Sequence, residues 1–509
     1  MNQKRGTSAE QSSELETYGA EKAQQEWSRE TLQGLFEKSA DVIFQDFTFG
    51  EQKVLFITCD AMIDQQMLHS VVVERISKFI EQMKNDDWDK TDILEQLHVP
   101  GLKEILNKQQ LITSVYEGSV ILWMEGKQSL FSANIAHKPN RTPEETKTEI
   151  TVKGPRDNFI EDLATNVALI RKRLPTNSLC VEKYQLGRRT KTEVSIMYFD
   201  DMANPKTINT IREKIEAIDV DIIFSTSLLM EHIDKTSRLF PRHDYTGRPD
   251  YVVQSLARGR IVILMDGVSY AVITPVNLFL LFKTSEDNEY PVIYGSFERL
   301  LRLSGVLIGT LFPAFWLALM TFHQDQLPLF LLATIVQSSL GLPFPALLEM
   351  LLMLLMFELF REAGLRLPES IGGTLSVVGG LIIGDAAIRA GITSPAMIVV
   401  IAISTIATFT LVNQSLVTAV SVVRFGSILL TGLLGLFGFF MSFYFLLVYL
   451  AGFRIFGAPY LEVAEQINWT NIKKTFLRPL QKDFYKRPEE LRSADKIRAN
   501  NTQQKEEGQ

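Results

Sequence analysis

Two glutamates lie inside the most apolar stretch of the chain. The run 342–368, LPFPALLEMLLMLLMFELFREAGLRLP, is nearly all hydrophobic, yet it contains Glu349 and Glu358. A charge near the centre of a bilayer costs at least about 2.5–3.5 kcal/mol, so an acid at that depth normally faces protein, water or a counter-ion. Glu358 precedes Arg361 and is expected to be paired near the interface. Glu349 is the better candidate for an ion pathway or for a bridge between helices.

A second set of polar side chains lies in the apolar run 396–423. If this run is one helix, with about 100° per residue, its polar side chains fall within an arc of roughly 160°. The set comprises Ser404, Thr408, Thr410, Gln414, Ser415, Thr418 and Ser421. Such a face can hydrogen-bond to neighbouring helices, or it can form the wall of an aqueous pathway. We favour the pathway, for which the candidate residues are Glu349, Ser404, Thr408, Gln414, Ser415 and Thr418.

Other residues of the apolar half are expected to hold helices together. Asp385 and Arg389 are four residues apart and can neutralise each other as an ion pair within the membrane. Two GxxxG patterns offer faces for close helix contact, and their glycines are Gly305, Gly309, Gly380 and Gly384. Pro343 and Pro345 remove backbone donors, so their element is predicted to be broken near 341–345.

The sequence contains no specific catalytic motif. It lacks a Walker-type Gly-Lys loop, a GxGxxG fingerprint, a GxSxG elbow and an HExxH pair. The six histidines lack the spacing of metal ligands, and His243 beside Asp244 is not expected to act as a general base, because neighbours on a turn need not face one pocket. We therefore predict that the chain is not an enzyme, holds no cofactor or metal and binds no nucleic acid, its basic clusters being solvated surface.

The distribution of charge divides the chain into two halves. The 509 residues carry a net charge of −7, but residues 303–451 are almost free of Lys, Arg, Asp and Glu and contain several runs long enough to span a bilayer. The N-terminus lacks the apolar core of a signal peptide, so the first half is expected to stay in the cytoplasm. Cys59 and Cys180 are too few for a disulfide framework and fit a reducing compartment.

We predict an α-helical multi-pass membrane domain over 300–452, with four to five spans. The spans are placed at 303–322, in a broken or re-entrant element within 327–360, and at 374–392, 396–423 and 427–451. Arg299 and Arg302 precede the first span, and the loop after it has no Lys or Arg, so the positive-inside rule places the N-terminal half in the cytoplasm. The basic tail 453–509 is expected on the same side. Because five complete crossings would exclude this, one run within 327–360 should fail to cross.

The N-terminal half is predicted to be α/β, with two lobes. Residues 1–30 lack apolar periodicity and are predicted to be a disordered polar tail. The first lobe is placed at 31–140 and the second at 150–295. In the second lobe the strand 192–200, a helix and the strand 221–225 follow one another, and this β-α-β order predicts a parallel pair.

Five long motifs, in this order, make the chain similar to a known family. They are GPRDNFIEDLATNVALIRKRL (154–174), RPD…LARGRIVILMDG (248–267), SFERLLR (296–302), PFPALLEMLLMLLMFELFREAGLRLP (343–368) and GLIIGDAAIRAGITSPAMIVV (380–400). These residues resemble the A subunit of the GerA-type nutrient germinant receptors of spore-forming bacteria, over most of the chain. Members of the family often carry a second Glu four residues before Glu358, where this chain has Leu354.

The resemblance implies a multi-pass protein of the spore inner membrane whose N-terminal domain is cytoplasmic. The implied partners are a permease-like B subunit that holds the nutrient, a lipoprotein C subunit, the lipid bilayer and further copies of this chain in a homo-oligomeric ring. The implied function is that of a receptor subunit that oligomerises into a ligand-gated ion channel and triggers spore germination. A transporter subunit, which a broken helix would favour, and a non-conducting scaffold of the receptor are the alternatives.

Overall fold

The fold consists of two sheet-containing lobes followed by a helical region. The structure, a computed structural model, describes residues 27–50, 52–82, 90–124, 129–139, 154–234, 239–366 and 382–461, together with residues 477, 491 and 495. Within these ranges two five-stranded sheets precede a helical region that starts at Val292. The predicted order of an N-terminal half that mixes helices and strands and a helical C-terminal half is confirmed at this coarse level.

The two sheets share one strand order. Lobe 1 contains β1 (Val42–Phe49), β2 (Gln52–Cys59), β3 (Lys103–Glu104), β4 (Ser119–Met124) and β5 (Leu130–Asn134). Lobe 2 contains β6 (Leu179–Leu186), β7 (Thr192–Phe199), β8 (Asp244–Thr246), β9 (Ile261–Met265) and β10 (Ala271–Thr274). The spatial orders are β1-β2-β4-β5-β3 and β6-β7-β9-β10-β8, and neighbouring strands are antiparallel throughout. Lobe 2 therefore repeats the topology of lobe 1.

The predicted parallel strand pair in lobe 2 is wrong. Strand β7 pairs with β6 and with β9, in both cases antiparallel. Residues 221–225 are described and are not a strand, although Ile223 is buried. They lead into the helix that begins at Thr226, whose N-cap Ser225 accepts a hydrogen bond from the backbone N–H of Leu228. The apparent strand pattern reflects one buried isoleucine followed by a helix cap.

Helices cover both faces of each sheet, and each face has its own apolar core. In lobe 1 they are α1 (Arg29–Phe36), α2 (Glu74–Gln82), α3 (Lys90–Gln96) and α4 (Lys108–Tyr116), with a helical turn Gln65–Met67 and a π-helical turn Leu68–Val73 before α2. In lobe 2 they are α5 (Leu163–Arg171), α6 (Pro205–Glu216), α7 (Thr226–Ile233) and α8 (Pro249–Leu256). In α6, Ile208, Ile211 and Ile215 recur at helical spacing and are buried, as an amphipathic helix requires.

Lobe 1 includes residues that the sequence analysis placed in a polar tail. Trp27 is buried in a core with Leu32 and Phe36 of α1. The Ser28 hydroxyl caps this helix by accepting a hydrogen bond from the backbone N–H of Thr31. The rest of that predicted tail, residues 1–26, lies outside the described residues.

A buried ion pair joins the two lobes. Arg171, at the end of α5, donates to both carboxylate oxygens of Asp41 over 2.6 and 2.9 Å. It also donates to the Ser39 hydroxyl and the Thr176 carbonyl, and its Cζ lies 4.2 Å from the centroid of the Tyr116 ring. The Arg171 side chain is 0% and the Asp41 side chain 2% exposed. Two charges removed from water in this way are tolerated only with such complete bonding, so this contact fixes the lobes to each other.

The helical region contains five helices with described bounds. They are α9 (Val292–Phe322), α10 (Leu329–Ser339), α11 (Ala346–Arg366), α12 (Pro395–Phe409) and α13 (Gln414–Gly452), and residues 382–389 are also helical. Two short 3₁₀ turns flank α9, at Ser285–Asn288 and Gln324–Gln326, and a hairpin of β11 (Arg454–Ile455) and β12 (Ala458–Pro459) follows α13. Among the described helices, α9 and α13 are long and apolar enough to cross a membrane.

The predicted span 396–423 is not one helix. α12 ends at Phe409, and Asn413 caps α13 by accepting a hydrogen bond from the backbone N–H of Leu416. The physical signal for this break is the asparagine itself, because its short amide side chain replaces a missing intrahelical partner at a helix start. The boundaries predicted for 396–423 and for the following span, 427–451, are therefore wrong.

Helix α13 folds back on itself. Gly435 has non-helical backbone with a φ of 61°, and a Cβ added at Gly438 would collide with the carbonyl of Leu430. Leu416 and Val420 near the start of α13 share an apolar cluster with Leu450 near its end. The element thus consists of a first arm, 414–434, and a second arm, 436–452, with a reversal between them.

Both ends of this helical hairpin return to lobe 2. At its start, Asn413 Nδ2 donates to Asp244 Oδ1 of β8 over 2.8 Å. After its end, the carbonyl of Tyr460 accepts a hydrogen bond from the backbone N–H of Leu278 over 2.9 Å. The first arm leaves lobe 2 and the second arm comes back to it, so the hairpin is held to the lobe at two points.

Candidate functional site

Glu349 connects two helices. It lies in the first turn of α11 and is 3% exposed. Its Oε1 accepts hydrogen bonds from Thr393 Oγ1 at 2.8 Å, from Ser394 N at 2.7 Å and from Ser394 Oγ at 2.9 Å. Ser394 is the N-cap of α12, so the carboxylate lies at the positive end of that helix dipole. Of the two roles expected for Glu349, this geometry favours the bridge between helices.

Ser404 and Thr408 lie inside the contact between α9 and α12. Both are buried, and Ser404 Oγ donates to the carbonyl of Gly309 over 2.9 Å. The helices approach closely because α9 has no side chain here: a Cβ at Gly305 would lie 2.7 Å from the Ala407 carbonyl, and one at Gly309 would lie 2.7 Å from Thr408 Cγ2. For Ser404 and Thr408 the structure favours helix contact over the wall of a pathway.

The remaining three pathway candidates are exposed in the first two turns of α13. They are Gln414, Ser415 and Thr418. Because the chain leaves the helical conformation between Phe409 and Asn413, these residues are on a different helix from Ser404 and Thr408. The prediction of one continuous polar helix face is therefore wrong. Further along the first arm, the large exposed side chains are apolar, namely Val422, Leu429, Leu433 and Leu434.

The other predicted residues occupy separate places. Asp385 Oδ2 and Arg389 Nε are 2.8 Å apart, but the side chains are 57% and 79% exposed, so the pair is not buried in the protomer. A Cβ at Gly384 would lie 3.7 Å from Ile398 Cγ2, which is ordinary contact, whereas Gly380 lies outside the described residues. Pro343 and Pro345 fall between α10 and α11, at the predicted interruption.

A cluster of charged side chains lies deep in the helical region, and the sequence analysis missed its most buried member, Arg424. Arg424 of the first arm is 2% exposed, and its Nη2 lies 3.3 Å from Glu358 Oε2 of α11. Its guanidinium also donates to the hydroxyls of Ser404 and Ser421 over 3.2 and 3.3 Å. Arg361 pairs with the same glutamate and donates to Ser421 over 2.9 Å. We call Glu358, Arg361, Ser404, Ser421 and Arg424 the charge cluster.

The charge cluster has one more positive than negative charge. Glu358 meets two arginines, and the buried Nε of Arg424 has no hydrogen-bond partner among the described residues. In the sequence Arg424 is a single charge in the apolar run VSVVRFGSILL, and Glu358 lies 66 residues earlier. The isolation of Arg424 in an apolar run was the sequence signal for a buried ion pair, because a charge at membrane depth is costly without partners.

A cavity of about 550 Å³ lies where lobe 2 meets the start of α13. Its wall includes Asp244 and Tyr251 from lobe 2 and Asn413, Gln414 and Ser415 from the helical region. Two exposed pathway candidates therefore border a chamber next to the lobe. The neighbouring His243 faces elsewhere: its Nδ1 lies 3.1 Å from Thr274 Oγ1 and its Nε2 3.6 Å from Asp234 Oδ2.

Burial shifts the pKa of both neighbouring groups in lobe 2. Burial raises the pKa of Asp244 to about 6, although hydrogen bonds from Tyr251 and Asn413 partly offset this. Burial lowers the pKa of His243 to about 4, despite the nearby Asp234 carboxylate. Near pH 7 Asp244 is therefore mostly ionised, and His243 is neutral.

Comparisons with known proteins agree on one family. Residues 30–490 match the family described as Bacillus/Clostridium GerA spore germination protein. The chain is 40% identical over 448 residues to spore germination protein XA of Bacillus anthracis, covering 87% of this chain and 91% of that protein. It is 30% identical over 472 residues to spore germination protein KA of Bacillus subtilis (strain 168), covering 92% and 87% of the two chains.

A solved structure is also similar in part. It is the crystal structure of the N-terminal domain of the A subunit of the Bacillus megaterium spore germinant receptor GerK3, with 25% sequence identity and a TM-score of 0.37. The likeness covers 49% of this chain and 95% of that chain. The matched family consists of spore germination proteins and not of enzymes. This agrees with the prediction that the chain is not an enzyme. The chain belongs to the GerA family of spore germination proteins.

Proposed function

We propose that the chain is the membrane-spanning A subunit of a nutrient germinant receptor in the spore inner membrane. Its family membership and its similarity to spore germination proteins over most of their length support this proposal. The proposed partners are a permease-like B subunit, a lipoprotein C subunit and further copies of the chain. In this arrangement the two lobes lie in the cytoplasm and the helical region lies in the bilayer.

The attachment of the helical region to lobe 2 supports this orientation. α9 begins beside lobe 2, where Arg299 and Arg302 both pair with the buried Asp287. The hairpin α13 starts and ends at the same lobe, so its two arms supply two crossings. α10 has 11 residues and would extend about 16 Å, too short for a hydrocarbon core of about 30 Å. Both ends of the helical region then face one side, as the basic tail requires.

We further propose that assembled copies enclose an ion pathway, and the charge cluster is the observation that carries this step. Arg424 is eleven residues beyond Asn413, or about 16 Å along the first arm, which is about half of a hydrocarbon core. Charges at such a depth are expensive and normally serve transport, sensing or gating. An anchor or a scaffold would need no buried cation there.

The pathway is proposed to run between copies of the chain, along the exposed face of the first arm. One copy has too few helices to enclose a wide pore, and a cyclic assembly closes its own interfaces. Gln414, Ser415 and Thr418 would give this face a polar entrance beside lobe 2, and Val422 and Leu429 would follow as an apolar constriction. Glu349, Ser404 and Thr408 would then act through helix contacts.

Spores that carry Arg424→Gln in place of the native subunit test the importance of the charge cluster. The glutamine removes the excess positive charge, while Arg361 still pairs with Glu358. We expect normal subunit levels and nutrient-triggered ion release at least about tenfold slower, a change of ~1.4 kcal/mol in a rate barrier. Arg389→Gln is the matched control, because Arg389 is exposed. Spores that carry this variant should release ions as fast as native spores. Normal ion release by Arg424→Gln would favour the scaffold.

A transporter subunit is the second candidate, because the chain is interrupted between α10 and α11 at Pro343 and Pro345. The two functions differ in coupling. A channel dissipates any imposed ion gradient once it opens, whereas a transporter moves ions in a fixed ratio with another solute. Ion flux measured in vesicles with the complete receptor and the nutrient on one side only separates them.

A further inference from the structure

The charged residues that line the cavity between lobe 2 and the helical region are three acids and three bases, namely Asp244, Glu286, Glu298, Arg248, Lys283 and Arg302. Two arginines on its wall are each shared between carboxylates. Arg248 pairs with Asp250 and Glu286. Arg302 pairs with Asp287 and Glu298. These arginines are therefore already compensated by acids.

Asp244 on the same wall is different. It is 5% exposed, and its oxygens accept hydrogen bonds from the Tyr251 hydroxyl at 3.0 Å, Asn413 Nδ2 at 2.8 Å and the Tyr245 N–H at 3.1 Å. All three donors are neutral, and no salt bridge reaches Asp244 from the residues that the structure describes. Arg260 is near enough to influence its titration but donates to the Pro275 carbonyl. A buried carboxylate with neutral donors only is a strong attractor for a cation.

Four tyrosines share the cavity wall with this carboxylate. Tyr245, Tyr251, Tyr270 and Tyr290 all line the cavity. The rings of Tyr245 and Tyr270 meet edge to face, with centroids 5.7 Å apart and planes at 77°. Aromatic faces attract cations, and several rings with one carboxylate are the usual surroundings of an organic ammonium group. A hard metal ion would instead require six or more oxygen ligands for Ca²⁺ or a near-octahedral set for Mg²⁺.

We infer that this cavity binds a small soluble organic cation, an amine or a quaternary ammonium compound, with its positive charge against Asp244 and the tyrosine rings. The volume of about 550 Å³ lies in the range of small-molecule sites. This site is additional to the proposed conduction and does not depend on it.

An occupied site would act on the helical hairpin through Asn413. This residue donates to Asp244 and at the same time caps α13, its side-chain oxygen accepting from the backbone N–H of Leu416 at 3.1 Å. A cation beside Asp244 changes the charge felt at this cap. The site therefore couples a soluble ligand to the first turn of the arm that begins beside lobe 2.

Binding can be measured on the purified full chain in detergent, with tetramethylammonium chloride and methylammonium chloride as probes. Sodium chloride at equal ionic strength is the reference, and the readouts are tyrosine and tryptophan fluorescence and the thermal midpoint. We expect a saturable response to at least one organic cation and none to sodium. Asp244→Asn should bind at least about tenfold more weakly. Glu216→Gln, an exposed carboxylate on α6, should bind as the native chain does.

Two variants at one ring keep the test decisive if Asp244→Asn does not fold. Tyr270→Phe keeps the aromatic face and should retain binding, whereas Tyr270→Leu should weaken it by about tenfold. Equal responses to organic cations and to sodium would overturn the inference. So would equal binding by the phenylalanine and leucine variants, or unchanged binding by a folded Asp244→Asn.

Discussion

At the scale of single residues, Glu349 illustrates how a buried acid can serve structure. Its carboxylate takes three hydrogen bonds at the N-terminus of α12. We predict that Glu349→Gln costs about 1 kcal/mol, because the amide oxygen still accepts but the charge is gone, and that Glu349→Ala costs about 2–4 kcal/mol, because three donors lose their acceptor. Thermal unfolding of the purified chain measures both. Equal stability of all three proteins would show that the bridge does not form.

Asp244 gives a prediction for pH. Its pKa in the folded chain is about 6, above the ordinary 3.8, so between these values the folded state holds a proton that the unfolded state lacks. As pH falls from 7.5 to 4.5, the native chain should therefore gain stability relative to Asp244→Asn, by about 2 kcal/mol. The pKa of His243 is lowered to about 4, so acidification over the same range destabilises the folded state through this residue, equally in both proteins.

The difference in thermal midpoint between the native chain and Asp244→Asn, followed from pH 7.5 to pH 4.5, checks this sign. A difference that does not change with pH would mean that Asp244 is not ionised and buried at neutral pH. His243→Gln is a useful control, because it removes the opposing titration from both proteins and leaves the Asp244 effect in place.

The partners of charged residues could be predicted from the sequence where they lie within one helix turn. Asp385 and Arg389 are one helix turn apart, so their pairing follows from spacing alone. The partners of Glu358 are different, because Arg361 is local and Arg424 comes from a helix 66 residues later. Whether Glu349 faces a pathway or a helix end also depended on Ser394, 45 residues away. Tertiary partners of this kind carry no periodic signal.

At the scale of elements, the glycines of α9 explain how α12 lies so close. Gly305→Ala should destabilise the chain by about 1–3 kcal/mol, because the added Cβ meets the backbone carbonyl of Ala407 and backbone cannot rotate away. Gly426→Ala is the matched control. It lies in the exposed part of α13 with no atom within 4 Å of an added Cβ, and it should stabilise by about 0.5–1 kcal/mol.

Thermal midpoints of the two alanine variants give this comparison directly. Equal effects at Gly305 and Gly426 would argue against close packing of α9 on α12. The structure has a close approach at Gly305 and Gly309, one of the two predicted GxxxG faces, and only ordinary contact at Gly384. The sequence did not identify the partner helix. The end of α12 was missed because hydropathy continues through 410–413, whereas the capping asparagine and the reversal at Gly435 interrupt the backbone rather than the hydropathy.

At the scale of the whole molecule, the ion pair between the lobes should control their union. Arg171→Lys removes the paired contacts to Asp41 in a site closed to water, and we predict a loss of about 2–4 kcal/mol. Arg188→Lys is the matched control, because Arg188 also makes two hydrogen bonds to one carboxylate, of Asp219, but both side chains are exposed. Its effect should stay within about 0.5 kcal/mol.

Chemical denaturation followed by tryptophan fluorescence measures these two variants, and equal losses would contradict a fixed lobe contact. The division into a sheet-containing half and a helical half followed from the charge distribution and from the alternating helices and strands of the first half. The antiparallel order common to both sheets did not, because strand partners are set by tertiary pairing and short strands such as β3 and β8 carry little signal.

The central proposal is that assembled copies conduct ions along the exposed face of the first arm, and electrical recording from the complete receptor in a planar bilayer tests it most directly. The chain offers a matched pair of variants, Thr418→Leu and Thr334→Leu, since both threonines are exposed and both donate to a carbonyl one turn earlier. We predict nutrient-dependent unitary currents that Thr418→Leu reduces at least about twofold, because it narrows and dries the polar entrance, and that Thr334→Leu leaves unchanged. Absence of unitary currents from the active native receptor, or equal currents in both variants, would contradict conduction along this face.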